Sequence, residues 1–329
     1  MDIPSLGLKD RKTLVILGAG ATRGASFVNT DVAIPPPLDQ DFFQVLQLAA
    51  SGRSAEGRSL IEHVRTVYGP ALNIGLETVF NNLDAARTFH EQFNVTRGRI
   101  LQEPRRLIDA LRTVLPALLG ESISGSCTTH AAIANRLYVG DVIVSLNYDC
   151  VMDDALRTHA GFRFDPERGG YGLTVATGAD NWRRSGKGKR AQGSIQLLKL
   201  HGSLNWRGPA VPLNLRADPY QTVANGVIAP PLTMKPVTDP PLSELWRKAR
   251  TIVGRMRRLV MVGYSMPAAD GLVRTLLATD LSRLLEDIVF VDPSEQTLTR
   301  HIDFFGRVAP AARIITLRSM RQFESVLRV

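Results

Sequence analysis

The stretch Thr13-Leu14-Val15-Ile16-Leu17-Gly18-Ala19-Gly20-Ala21-Thr22-Arg23-Gly24 constrains the fold of this chain more than any other. A short, β-branched apolar run that breaks into alternating glycines reads as the first strand of a parallel sheet running into a phosphate-cradling turn. Gly18 and Gly20 allow a tight turn and let backbone N–H groups approach a pyrophosphate, with the positive end of the next helix behind them. On that reading Gly20→Val weakens nucleotide binding more than folding. The usual dinucleotide fingerprint is only half met. Arg23 stands where its third glycine belongs, Gly24 comes one residue late, and no acidic residue ends a second strand about twenty residues on. The turn is therefore a nucleotide site of another kind, or a strand-to-helix turn without a ligand.

From Leu38 to about Gly120 the apolar residues recur at helical spacing, as in Leu60, Ile61, Val64 and Leu76, Val79, Phe80, Leu83. This predicts four or five helices without a strand, a module that roofs the pocket, with His63 and His90 on its surface. Ala33-Ile34-Pro35-Pro36-Pro37 cannot continue a helix and carries the chain over the mouth of the site. Further on, apolar runs again end in polar residues: Val142 to Leu146 delivers Asn147-Tyr148-Asp149, and Ile195 to Leu200 delivers His201-Gly202-Ser203. Strand ends are where open α/β sheets place ligand-contacting side chains. Asp153 and Asp154 read as acids in a first helical turn. Residues 207–241 are proline-rich, without periodicity, and read as an excursion outside the core.

The last third resumes βα alternation. Leu242 to Arg258 is an amphipathic helix, Leu259 to Ser265 a strand entering a glycine turn, Asp270 to Leu285 a helix, and Ile288 to Pro293 a strand ending in Asp292. A helix from Ser294 and a strand at Ala312 to Leu317 follow. The expected fold is α/β, a doubly wound parallel Rossmann-like sheet with an inserted helical module. Its domains are 1–37 with 126–329, and the insertion 38–125.

The net charge of +9 is compatible with a polyanionic partner, but the arginines are scattered. The basic run Arg183, Arg184, Lys187, Lys189, Arg190 reads as a solvated loop rather than a nucleic-acid patch. Cys127 and Cys150 are the only cysteines, too few for a disulfide framework or a four-cysteine zinc site, so no metal is expected. No apolar run reaches the roughly 18 residues of a spanning helix, and a cytoplasmic protein away from membranes is expected.

The four strand-end motifs, Gly18-Ala19-Gly20-Ala21-Thr22, Asn147-Tyr148-Asp149, His201-Gly202-Ser203 and Gly263-Tyr264-Ser265, resemble as a set the sirtuin superfamily. The closer resemblance, supported by Leu76-Glu77-Thr78-Val79-Phe80 and Pro230-Pro231, is to the sirtuin-like (silent information regulator 2-like) NAD-hydrolase domains of bacterial anti-phage defence systems. It implies NAD as substrate, with Gly18, Ala19, Gly20, Ala21 and Thr22 at the pyrophosphate and ribose. Asn147 and Asp149 then surround the nicotinamide ribose, and His201 is the base. Gly263, Ser265 and Asp292 lie toward adenosine, and Arg23 is either a further phosphate contact or an exposed helix arginine. Without a zinc ribbon, the resemblance favours an NAD glycohydrolase releasing nicotinamide and ADP-ribose as an NAD-depleting effector. Two alternatives remain open at this point: a non-catalytic nucleotide-sensing subunit, and a zinc-free deacylase or ADP-ribosyl transferase. Relatives work as homo-oligomers or beside a defence partner such as a hexameric DNA-translocating ATPase. Here the helical insertion or segment 183–190 is the expected contact.

Overall fold

The computed structural model describes residues 12–25, 34–93, 98–123, 125–176, 194–207, 212–215, 226–229, 232, 239–267, 270–281 and 283–327. The basic run 183–190 and the Pro230-Pro231 pair lie outside the described residues.

The first strand, β1 (Thr13–Leu17), is buried along its whole length, which suits an unbroken β-branched run with neighbours on both sides. It turns directly into α1 (Ala19–Arg23). A helical stretch follows: α2 (Phe42–Leu48), α3 (Ala55–Tyr68), α4 (Leu76–Gln92) and α5 (Gly98–Ser122). Next come α6 (Thr128–Arg136), β2 (Val142–Ser145), α7 (Val151–Ala155), β3 (Gln196–Lys199), β4 (Gly202–Arg207), β5 (Asn214–Leu215) and β6 (Gly226–Ile228). The remaining elements are α8 (Leu242–Val253), β7 (Arg258–Val262), α9 (Gly271–Thr279), β8 (Asp287–Val291), α10 (Glu295–Val308), β9 (Arg313–Leu317) and α11 (Met320–Leu327).

Six strands form one parallel sheet in the order β3-β2-β1-β7-β8-β9. Leu14 lies beside Val142 on one side and Leu259 on the other, so β1 is central. This is the doubly wound arrangement expected from the βα alternation, with helices flanking the sheet. The chain leaves β1 toward β2 and β3, then returns to lay β7 on the opposite side of β1. The helix expected from Asp270 to Leu285 is shorter, ending at Thr279.

The stretch 207–241 corrects the sequence reading. Its described part supplies β5 and β6, which pair antiparallel with β4 in a small second sheet. Trp206, Leu213, Leu215 and Ala229 are buried in the main core. Strands of two or three residues are too short to show a period of two.

Two apolar cores result. One fills the faces of the parallel sheet. The other joins Phe42, Leu46, Leu60, Val64, Val79, Leu107, Leu111 and Leu118 of α2 to α5, and reaches Cys150 and Leu204 of the sheet side. Ser54 starts α3 by accepting a hydrogen bond from the Gly57 N–H at 2.9 Å, and Ser294 starts α10 by accepting from the Thr297 N–H at 3.2 Å.

Candidate active site

Because the strand order reverses between β1 and β7, the loops leaving their C-terminal ends diverge and open a crevice. A cavity of about 990 Å³ occupies it. Its walls come from the ends of β1, β2, β3, β7 and β8, from Pro36, Pro37 and Leu38, and from Phe42, Leu76, Leu115 and Leu119 of the helical stretch. Gly18, Ala19, Gly20, Thr22, Arg23, Asn147, Asp149, His201, Gly263, Ser265 and Asp292 all line it. Ala21 does not: it is fully buried in the sheet core, because the third position of the α1 turn faces inward.

The glycines are needed for a reason other than the one their pattern suggests. The Gly18 N–H donates to Val262 O at 3.1 Å and the Gly20 N–H to Gly263 O at 2.9 Å, so both amides are engaged by the neighbouring βα turn rather than aimed at a phosphate. A Cβ on Gly20 would stand 2.8 Å from Gly263 Cα, and one on Gly18 2.6 Å from Gly263 O. Gly263 itself has φ +56, and a Cβ there would meet Ala21 N at 2.1 Å. Three glycines thus let two turns interlock at the switch point. This argues against the expectation that Gly20→Val weakens binding more than folding.

Asn147 leaves the end of β2 with its amide fixed. Its Nδ2 donates to Gly18 O at 2.9 Å and to Thr22 Oγ1 at 3.3 Å. The Thr22 hydroxyl in turn donates to Asp149 Oδ2 at 2.9 Å, and Asp149 Oδ1 accepts from the Val151 N–H at 3.1 Å at the start of α7. Both Asp149 oxygens are therefore committed to holding the turn. Asn147 Oδ1 accepts no hydrogen bond from the described residues, while the residue lines the cavity. An oriented acceptor results. Beneath this turn Lys199, fully buried, pairs with Asp153 at 2.9 Å and donates to Asp149 O. Tyr171 and Asn205 complete that network on Asp153.

His201 sits between β3 and β4, and its Nδ1 lies 3.0 Å from Leu146 O. A carbonyl only accepts, so Nδ1 carries the hydrogen and Nε2 is the basic atom of the neutral ring. Nε2 is 3.5 Å from Asp270 Oδ1. Asp270 stands at the N-terminus of α9 and its Oδ2 accepts from the Tyr264 hydroxyl at 3.0 Å. The loop that brings it there contains Met266 at φ 50, a left-handed residue that costs on the order of 1 kcal/mol or more. Asp39 and Glu77, at the N-terminus of α4, line the same region, with the Glu77 N–H donating to Asp39 Oδ1 at 2.8 Å. Burial pushes the Asp39 carboxyl up, with the Asp270 charge adding to it against the Glu77 hydrogen bond. Burial also raises the Tyr148 hydroxyl, which donates to Ala229 O at 2.7 Å.

The opposite part of the wall is basic, with Arg300 of α10 and Arg318 beside Asp292. Asp292 Oδ1 accepts from the Ser294 N–H at 2.8 Å, and burial nevertheless raises its carboxyl. Arg23 lines the cavity and is partly buried rather than an exposed helix arginine. Its guanidinium donates to Pro36 O at 2.6 Å and pairs with Asp41 at 2.6 Å, tying residues 36–41 across the cavity wall.

Sequence reasoning assigned no site role to Asp270, Asp39, Glu77 or Tyr148. Asp270 and Glu77 occupy first turns or caps of helices, where an acid already has a sufficient structural explanation. Their convergence needs the third dimension. Among the described residues no group of His, Cys, Asp and Glu is placed to hold a metal ion, and Cys127 and Cys150 are buried apart, beside His130 and Ser203 respectively. No described helix is long and apolar enough to cross a membrane.

No curated protein matches this sequence. Among solved structures, a histidine-to-asparagine mutant of a Sir2 homologue in complex with ADP ribose is similar over 97% of this chain and 92% of that one, with 13% identity and a TM-score of 0.37. Residues 141–299 match the family model of the SIR2-like domain. That span contains Asn147, Asp149, His201, Gly263, Asp270 and Asp292, and on this match the chain carries a sirtuin-like domain.

Proposed function

We propose that the chain is an NAD glycohydrolase that releases nicotinamide and ADP-ribose. The observation that carries this reading is the placement of Asn147 Oδ1 and His201 Nε2 in one cavity large enough for a dinucleotide, the amide oriented by Gly18 and Thr22 and the imidazole by Leu146 O. Nicotinamide leaves as a neutral group from a cationic one, so little acid catalysis is required. The demands are to hold the ribose as it becomes oxocarbenium-like and to supply a nucleophile. Asn147 Oδ1 accepts from a ribose hydroxyl or from the attacking water. His201 Nε2 takes the proton, a role typically worth about 10²–10⁴-fold. Asp39, Glu77 and Asp270 give this part of the wall carboxylates that favour the cationic ring. Asp149 acts by fixing Thr22 and the loop rather than by touching the ring. Gly18, Ala19, Gly20, Thr22 and Arg23 border the pyrophosphate, and Gly263, Ser265 and Asp292 the adenosine.

The anti-phage setting, a cytoplasmic location, an oligomeric or partner-bound state and the boundaries 1–37 with 126–329 against 38–125 are part of the same proposal, supported by the motif set and by the separate core of α2 to α5. Calorimetry with ADP-ribose tests the site itself. Binding to wild type with loss in a folded Asn147→Ala variant supports it, whereas equal binding to both excludes the assignment of Asn147.

A further inference from the structure

We infer that Asp270 and His201 form one proton-holding pair, in which the carboxylate sets how readily His201 Nε2 accepts the proton released during cleavage; this rests on the glycohydrolase reading. The geometry is specific. With Nδ1–H committed to Leu146 O, the neutral ring presents the lone pair of Nε2 to Asp270 Oδ1 across 3.5 Å. Two acceptors at that separation repel unless a proton lies between them or a donor such as water or a ribose hydroxyl bridges both. Either case places a transferable proton at His201.

Asp270 is fixed in place by its surroundings. The Tyr264 hydroxyl holds its second oxygen at 3.0 Å, and the carboxylate occupies the cap of α9, where the helix dipole favours negative charge. His201 and Asp270 side chains are 7% and 4% exposed, so water screens the pair little. Asp39 approaches from the segment preceding α2, Glu77 from the N-terminus of α4, Tyr148 from the loop after β2 and Tyr264 from the end of β7. Burial and the Asp270 charge push both tyrosine hydroxyls up, so they remain neutral donors. Arg274 on α9 is a cation acting on Tyr264 in this cluster.

In the step itself, the oxygen of a water molecule bonds to the ribose carbon C1′ as the C1′–N bond breaks, and its electron pair leaves with neutral nicotinamide. The water proton passes to Nε2, the imidazolium is held by Asp270, and the proton then returns to solvent. NAD⁺ and water thus give nicotinamide, ADP-ribose and a proton. Asp270 is a positioning residue here, acting through His201.

The test compares pH profiles of kcat/KM for wild type, Asp270→Asn and Asp270→Ser. The Asp270 side chain makes no capping hydrogen bond to α9, so both variants remove the charge without removing a cap, and Asn and Ser are themselves favoured at that position. The acid limb of the profile should move to lower pH by about one unit in both variants, and kcat at neutral pH should fall at least tenfold. An unmoved limb in either folded variant overturns the pairing. Ring ¹⁵N spectra of wild type supply an independent check: Nδ1 should stay protonated throughout and Nε2 should be the atom that titrates. A neutral ring protonated at Nε2 overturns the inference even if both variants fail to fold. Absence of nicotinamide release by wild type would instead remove the glycohydrolase reading, leaving the spectra to decide the pair.

Discussion

Thr22 links the residues that the sequence placed far apart. Its hydroxyl accepts from Asn147 and donates to Asp149, and the side chain is almost fully buried. Thr22→Val keeps the shape but leaves the Asp149 oxygen without its donor, a loss of about 1–3 kcal/mol. A melt lowered by several degrees together with at least tenfold slower nicotinamide release is expected, and Thr22→Ser should restore both. Gly20→Val now belongs to a different class. Its Cβ would stand 2.8 Å from backbone atoms of Gly263, so the variant should lose cooperative folding, and a wild-type melt would show that the turns do not interlock as described. At this scale Asn147, Asp149 and His201 were legible because each follows a buried strand. Asp270 was not, because a helix-capping acid looks the same whether or not a histidine from another strand meets it.

Among the elements, the segment 34–41 is tied to α1 by one guanidinium and to α4 through Asp39, which accepts from the Leu76 and Glu77 N–H groups. Arg23 bonds Pro36 O and pairs with Asp41, both partly shielded. Arg23→Ala should speed hydrogen exchange of residues 36–41 and raise KM for NAD about fivefold, corresponding to about 1 kcal/mol, with kcat little changed. Unchanged exchange would show that the Asp39 contacts to α4 hold the segment without Arg23. Behind the site, Lys199→Met leaves Asp153 buried without its partner, and a destabilisation of about 3–5 kcal/mol in urea unfolding is expected. The parallel strands β1, β2, β7 and β8 were readable because each is an apolar run buried along its length, whereas the edge strand β9 is mostly exposed or half-buried. The small antiparallel sheet was hidden, since β4 begins one residue after His201 and its partners are only two and three residues long.

Across the whole molecule, acid lability should reflect histidines held neutral in the core. His301 on α10 packs against Phe290 with ring centroids 4.9 Å apart, and neither ring nitrogen has a hydrogen-bond partner among the described residues. Burial, with Arg300 adding to it, lowers its pKa from 6.5 to about 4. The unfolded chain therefore takes up a proton below pH 6.5 that the folded chain refuses until about pH 4, so stability is full above this window and falls as pH drops through it. The loss attributable to His301 is about 2 kcal/mol by pH 5. Buried His130 acts in the same direction. Urea unfolding of His301→Leu at pH 7 and pH 5 should show a smaller difference than wild type; an equal difference would assign the lability elsewhere. The central claim is that one cavity at the switch point of this sheet cleaves NAD through Asn147 and His201. Chromatography of NAD incubated with the purified chain, alone and with the products of neighbouring genes, tests it directly. Nicotinamide and ADP-ribose should appear in equal amounts with wild type and be absent with folded Asn147→Ala and His201→Ala, whereas turnover by both variants near the wild-type rate would contradict it.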